Sequence, residues 1–187
     1  LSGTPDWVIV KALDDDRNFI VAHSSISTTS DNLRLDNNDS TSTLASGYIA
    51  NLDSNHVTLN SSSHSTVYGA STNANGDNFI MYAWKAVSGV SAFGTYSGSG
   101  SGGTVTGLGF KPRLVIGKRI NDSANWYIFD RFRESGDALT TYLEANNPDG
   151  ETTYSNFTLT VTNDGFTTGN FAAVGASGGT YVYMAFA

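Results

Sequence analysis

Cysteine is absent from this chain of 187 residues, and no apolar stretch in it is long. Without cysteine there is neither a disulfide framework nor a thiolate metal site. The absence is consistent with assembly in a reducing cytoplasm. Because no apolar run approaches the roughly 20 residues that cross a bilayer as a helix, we expect no membrane insertion.

Charged residues are also scarce, at 14%, and the net charge is −7. An acidic surface repels phosphate groups, so the composition predicts no nucleic-acid partner and no attraction to an anionic membrane surface. Few groups with catalytic or cofactor-binding chemistry remain, and no cofactor is predicted.

Serine, threonine, asparagine and glycine take the place of the missing charges, with glycine alone at 20 residues. Asparagine, glycine and serine favour turns, while threonine tolerates a half-buried strand. Aromatic residues make up 12%, which argues against disorder. No segment keeps a helical apolar period over 11 residues, and residues 131–143 come closest to one. The composition therefore predicts an all-β chain.

An internal repeat organises the sequence. Residues 5–11 align with residues 112–118, and the offset of 107 then holds without a gap as far as Phe19-Ile20-Val21 and Trp126-Tyr127-Ile128. A looser block aligns residues 55–58 with residues 164–167 at an offset of 109. The unit closes with residues 76–84, which align with residues 178–186 at an offset of 102. Such drift is typical of loop insertions between duplicated domains. We predict two repeats, residues 1–87 and 88–187.

Four segments are dense in β-branched and aromatic residues and form near-continuous apolar runs: residues 7–11, 78–84, 114–118 and 181–186. Such runs predict central strands with both faces covered. Residues 158–162 alternate instead, which predicts a strand with one solvated face.

The glycine-rich segment 97–103 lies between the repeats. It is either a flexible linker or the wide loop of a hairpin that joins strands 92–96 and 104–108. Apolar and β-branched residues flank the glycines on both sides, which favours the hairpin. The first repeat has no matching hairpin, so we expect the chain to be an excerpt from a longer one.

Candidate catalytic groups are few. The histidines are His23, His56 and His64, and none has a counterpart in the second repeat. Asp53 and Ser65 lie near them in sequence, but no nucleophile elbow of the G-x-S-x-G type occurs. Nothing selects a glycosidase-like pair among the acidic residues. We therefore expect no catalytic residues and no enzyme.

Aspartate and asparagine residues recur at one place in both repeats, between an apolar strand and an aromatic one. These residues, Asp14, Asp15 and Asp16 together with Asn121 and Asp122, are weak candidates for a calcium loop, because calcium takes oxygen ligands. The alternative is a turn in which Asp and Asn bond their own backbone, and the missing EF-hand spacing favours it. Trp7, Trp84 and Trp126 lie in apolar segments, which favours burial over a role in stacking on sugar.

Both repeats, and most clearly residues 104–187, resemble a module of known proteins. The resemblance rests on residues 107–118 (GLGFKPRLVIGK), 126–130 (WYIFD), 163–166 (NDGF) and 176–187 (ASGGTYVYMAFA). These segments are similar to a repeat in large virion proteins of marine tailed phages, of the tail-fibre or appendage type. The first repeat departs from it, with Val57 after Asn55-His56 in place of an Asp-Gly turn, and with Ala83-Trp84-Lys85 in place of Ala-Phe-Ala.

The resemblance implies tandem antiparallel β-sandwich modules, jelly rolls of the concanavalin or laminin-G-like kind. It also implies a structural role in a bacteriophage tail fibre or appendage, with host attachment through a surface glycan or protein. The protein would be assembled in the host cytoplasm and then become extracellular in the virion. Expected partners are other virion proteins and further copies of the chain, for example in a trimer. A capsid decoration or head-fibre protein and a glycan-binding adhesin module remain the alternatives.

Overall fold

A computed structural model describes residues 3–26, 31–43, 48–60 and 70–187. The predicted all-β class is confirmed, since strands paired in antiparallel sheets make up the framework. Within the described ranges the helices are single turns, α1 (Ala70–Asn73) and α2 (Ala172–Gly175). Neither has the length or apolar character of a transmembrane span. The chain divides into two compact units, Leu1–Lys85 and Ala86–Ala187.

The first unit contains a five-stranded sheet and a separate hairpin. The sheet order is β4-β3-β2-β1-β7, and β5 pairs with β6. The strands are β1 (Trp7–Ala12), β2 (Ile20–His23), β3 (Asp31–Arg34), β4 (Ser42–Thr43), β5 (Ile49–Leu52), β6 (Val57–Leu59) and β7 (Phe79–Trp84).

One face of this sheet packs against the hairpin. Val8, Val10 and Ile20 are fully buried in a cluster with Ile49 of β5, because alternate residues of a strand share a face. The buried Asn32 joins the layers, since its Oδ1 accepts hydrogen bonds from the main-chain N–H groups of residues 48 and 49 at 2.8 and 3.1 Å. A buried amide with such partners satisfies the polar groups at the edge of the core.

The second unit contains a six-stranded sheet, β14-β13-β11-β10-β17-β8, and a four-stranded sheet, β12-β15-β16-β9. The strands are β8 (Ser91–Ser97), β9 (Thr104–Val105), β10 (Leu114–Arg119), β11 (Tyr127–Asp130), β12 (Ala138–Leu139), β13 (Thr141–Glu144), β14 (Thr152–Thr153), β15 (Leu159–Thr162), β16 (Gly165–Thr168) and β17 (Thr180–Phe186).

Side chains from both sheets of the second unit form one hydrophobic core. Phe129 of the larger sheet and Phe166 of the smaller one are buried in the same cluster. Phe157 is fully buried at its centre, with its ring 4.7 Å from that of Tyr127 and 4.6 Å from that of Tyr142. Edge-to-face aromatic contacts of this kind add to the free energy of apolar burial. In β15 the alternation predicted from sequence is confirmed, with Leu159 and Val161 buried between more exposed threonines.

The repeat seen in the sequence is also a repeat of strand pairing. Strands β10 and β11 begin and end 107 residues after β1 and β2. Trp7 of β1 lies opposite Trp84 of β7, and Leu114 of β10 lies opposite Phe186 of β17, which preserves both offsets. The two units therefore share the core ladder of strands in the same register.

The expectation that residues 78–84 form a central strand is wrong. Strands β1, β10 and β17 are flanked on both sides, but β7 lies at the edge of its sheet as far as the described residues extend. Strand β17 is covered on its outer side by β8, and the first unit shows no such strand within the described ranges. The apolar content of a strand does not indicate whether a neighbouring strand pairs with it.

The expected glycine-rich hairpin is wrong as well. Strands β8 and β9 belong to different sheets, β8 beside β17 and β9 beside β16. The glycines between them are closely packed, because a Cβ at Gly98 would lie 2.2 Å from the oxygen of Ala176, and one at Gly102 would lie 1.9 Å from the oxygen of Thr168. The segment is thus a tight crossover between two sheets, which also rules out the flexible linker.

Candidate functional site

The histidines lie in unlike environments. His23 is fully buried, with its ring 5.2 Å from that of Trp7, and its Nδ1 accepts a hydrogen bond from the main-chain N–H of Ser25 at 3.0 Å. This contact makes His23 part of the packing of β1 on β2. His64 and Ser65 lie outside the described residues.

His56 is exposed in the turn between β5 and β6, beside a shallow pocket of about 200 Å³. The Oδ1 of Asp53 accepts hydrogen bonds from the main-chain N–H groups of Asn55 and His56, both at 2.8 Å, and lies 3.3 Å from the imidazole Nδ1 of His56. The bond from Asn55 and then that from His56 lower the pKa of the Asp53 carboxyl. The carboxylate thus closes the turn.

Two of the candidate calcium-loop residues of the first unit have carboxylates engaged with protein groups. The carboxylate of Asp14 accepts a hydrogen bond from the main-chain N–H of Asn78, and that of Asp15 pairs with Arg17 at 2.6 Å. Asp16 is exposed in the same loop. These contacts hold the loop after β1 to the start of β7.

The corresponding residues of the second unit behave alike. The Oδ1 of Asn121 accepts a hydrogen bond from the main-chain N–H of Thr180 at 3.0 Å, and Asp122 pairs with Arg119 at 3.0 Å. Asn121 and Thr180 are the repeat counterparts of Asp14 and Asn78, at offsets of 107 and 102. Across the described residues, no three acidic, histidine or cysteine side chains form a group that could hold a metal ion.

A cavity of about 430 Å³ lies in the second unit, at the end of β10 and β11. Lys111, Arg113 and Arg131 line it, together with Phe132, Glu134, Gly136 and Ala187. In a chain with only ten basic residues, three of them at one cavity is a concentrated group.

Two of these cations are already paired. The carboxylate of Asp137 accepts from Lys111 Nζ at 2.7 Å and from Arg131 Nε at 3.1 Å. The hydrogen bond from Lys111, and then the charges of both cations, lower the pKa of Asp137. These two hydrogen bonds to Asp137 therefore hold the long side chains of Lys111 and Arg131 at the cavity wall.

Arg113 differs from them. Its guanidinium carbon lies 3.1 Å from the centroid of the exposed Phe132 ring, and Arg113 forms no ion pair with any described residue. A guanidinium stacked on an aromatic face keeps its in-plane donors available for a carboxylate. We call this stacked pair the Arg113–Phe132 platform.

Glu134, at the same cavity, is held in place by its neighbours. Its carboxylate accepts from the main-chain N–H groups of Thr140 and Thr141 at 2.8 and 2.5 Å. Partial burial raises the pKa of Glu134, but these bonds outweigh it and the net pKa is lowered. A carboxylate stabilised in its ionised form is poorly suited to act as a general acid.

Five further acidic residues are also engaged. Each accepts at least one hydrogen bond: Asp36 from Asn18, Asp39 from Arg34 and Asn37, Asp130 from Phe132, Glu144 from Asn125 and Asn147, and Glu151 from Arg133.

The Arg113–Phe132 platform was not predicted from the sequence. The signal was a difference between repeats, because the counterparts of Arg113 and Phe132 in the first unit are Asp6 and Ser25.

No curated protein and no solved structure matches the chain. Residues 1–187 match the family described as a domain of unknown function, DUF7483. The match spans both units and all the sites described above. The chain therefore belongs to the DUF7483 family.

Proposed function

We propose that this chain is a non-catalytic structural component of a bacteriophage virion, in a tail fibre or other appendage. Its two units would be consecutive β-sandwich modules of the jelly-roll, concanavalin-like kind. The observation that carries the proposal is the duplication of the strand ladder, with cross-strand pairs in the same register in both units. Repeated units of one fold suit a protein that extends a fibre.

The chemistry of the described residues supports a structural role. The acidic residues described above bond main-chain groups, amides or cations in turns and loops. The cores of both units are apolar and closely packed. The stability of each unit then comes from burial of apolar side chains between its layers of strands. An appendage exposed outside the cell requires such stability. Homo-oligomers are part of this proposal.

The test is to localise the protein on particles. Immunogold labelling of virions that carry this chain, with an antibody against the second unit, should mark the tail or an appendage. Label on the head surface would replace the proposal with the alternative of a capsid decoration or head-fibre protein. Particles without label would overturn the virion assignment altogether.

A glycan-binding role is favoured by the Arg113–Phe132 platform. Arg113 is exposed and stacked, and the cavity beside it, about 430 Å³, has the volume of a sugar-sized site. A guanidinium recognises a carboxylate through two parallel hydrogen bonds. We therefore propose that host-surface contact occurs here, with an acidic sugar as the ligand class.

Oligosaccharides of alginate, a polyuronate, are a suitable probe, with neutral dextran oligosaccharides as the reference ligand. We expect alginate to bind and R113A to lose that binding. R133A is the matched control, because it removes the same charge from a neighbouring position where Arg133 pairs with Glu151 at 2.6 Å. Equal losses in R113A and R133A, or no binding of alginate, would contradict a specific site.

A further inference from the structure

The outer edge of β7 presents unpaired main-chain groups within the described part of the chain. In an antiparallel ladder, alternate residues direct their N–H and C=O groups to opposite sides. The N–H of Leu13 donates to the C=O of Asn78 at 2.9 Å, which places the groups of residues 78, 80, 82 and 84 on the side of β1. Those of Phe79, Met81 and Ala83 therefore point away from β1. No described strand pairs with them.

The side chains of β7 are unusually exposed for an apolar strand. Met81 and Tyr82 are 49% and 46% exposed. Their repeat counterparts on β17, Tyr183 and Met184, are 7% and 6% exposed. A run of exposed apolar side chains on an open strand edge marks a surface that pairs with another strand.

The second unit shows what covers the equivalent edge. Strand β8 pairs with β17 over seven residues, with Ala92 opposite Ala185, Gly94 opposite Tyr183 and Tyr96 opposite Tyr181. Translated by the repeat offset of 102, the same three residues of β8 would meet Ala83, Met81 and Phe79. A strand on the open edge of β7 would therefore keep the register and the antiparallel direction that β8 has on β17.

We propose that the outer edge of β7 is a docking site for one extended strand of the β8 type, supplied by a unit of the DUF7483 family other than a second copy of this chain. The strand binds antiparallel to β7, and its main chain completes the ladder at Phe79, Met81 and Ala83. This is recognition by strand addition, in which main-chain hydrogen bonds provide affinity and side-chain fit provides specificity. It does not depend on the virion assignment.

The chemistry of the two strands is complementary. The β7 sequence FIMYAW and the β8 sequence SAFGTYS carry no charged residue, so neither strand loses a solvated charge on pairing. The β8 strand within this chain is already paired along its full length with β17. A second copy would have to release its own β8, which makes a strand not engaged in its own unit the better occupant.

One contact separates the two edges. Where β8 pairs with β17, a Cβ at Gly94 would lie 2.7 Å from the hydroxyl oxygen of Tyr183, so the Tyr183 ring covers that glycine. On β7 the corresponding residue is Met81, whose unbranched side chain can move aside. We therefore expect alanine at position 94 to be accepted by β7 and to be poorly accepted by β17.

The test uses the 187-residue chain and a peptide with the sequence of residues 90–98 (VSAFGTYSG). Amide hydrogen exchange is followed by NMR. In the chain alone, the amides of Met81 and Ala83 should exchange faster than those of Ile80 and Tyr82. Saturating peptide should slow exchange at Met81 and Ala83 by roughly tenfold or more.

Two variant peptides sharpen the result. A peptide with proline at positions 92 and 94 lacks the N–H donors that face β7 and should give no protection. The G94A peptide should protect as well as the parent peptide does. Three outcomes would overturn the proposal: slow exchange at Met81 and Ala83 in the free chain, no added protection at saturation, or protection that rises with protein concentration alone, which would identify a second copy as the occupant.

Discussion

The side-chain nitrogen of Lys118 lies 5.9 Å from the centroid of the Trp126 ring, and Lys11 stands in the same relation to Phe19 at 5.4 Å in the first unit. The Nζ of Lys118 donates to the C=O of Ala124, and that of Lys11 donates to the C=O of Asp15 at 3.4 Å. In both units a lysine packs along an aromatic ring and holds the loop that follows its own strand. Lys118 is buried, whereas Lys11 is partly exposed.

Replacing Lys118 by methionine should destabilise the second unit by about 1–3 kcal/mol, because the carbonyl of the partly buried Ala124 loses the donor that the buried Lys118 provides. The matched variant K11M should cost less, since solvent can replace the lysine there. Denaturant dependence of amide exchange in β10 and β1 measures each unit separately. If K11M lowered the free energy of unfolding of its unit more than K118M did, burial of the lysine would not explain the size of the effect.

Replacing Phe157 by alanine should destabilise the second unit by about 3–5 kcal/mol, since it empties the centre of the aromatic cluster. Phe157 is fully buried, while Phe132 is exposed. F132A is therefore the control and should leave the melting temperature of the unit almost unchanged. Calorimetry measures the melting temperature of each variant. If F157A melted at a temperature similar to that of F132A, the aromatic cluster would not be the core of the unit.

Alanine at Gly98 should destabilise the crossover between the two sheets of the second unit by about 1–3 kcal/mol, as overpacking does. The new Cβ would lie 2.2 Å from the main-chain oxygen of Ala176, and the backbone has to shift. G150A introduces the same methyl group where nothing lies within 4 Å and should be nearly neutral. Chemical denaturation of the two variants gives the comparison; a neutral G98A would mean that the segment is loosely packed.

The lowered pKa of Glu134 predicts a pH dependence with a definite sign. The ionised form is stabilised by Thr140 and Thr141, so its contribution is complete above the unfolded pKa of glutamate, about 4.3, and is lost as the pH falls through the lower folded pKa. E134Q should therefore be less stable than wild type at pH 7, and the difference in the free energy of unfolding should shrink below about pH 4. Unfolding curves from pH 7 to pH 2 test this, and a difference independent of pH would exclude the ionised carboxylate as its cause.

The all-β class and the duplication could be predicted from the sequence alone, because both depend on local patterns. Alternation in residues 158–162 and the apolar run at 114–118 reflect how each strand meets its immediate surroundings. The repeat offset of 107 survives in the structure at both ends of β10 and β11. Turn-forming residues such as Asp14 and Asn121 also keep equivalent main-chain contacts in both units.

Tertiary structure alone decided which strands have neighbours and which side chains meet. The apolar segments β7 and β17 look alike in sequence, but β8 lies beside β17 and no described strand lies on the outer side of β7. The glycines after β8 lead into a different sheet, because packing against Ala176 and Thr168 directs the chain there. Arg113 and Phe132 meet because β10 and β11 pair in antiparallel register and bring their ends together. Such relations depend on long-range pairing, which a local sequence pattern does not encode.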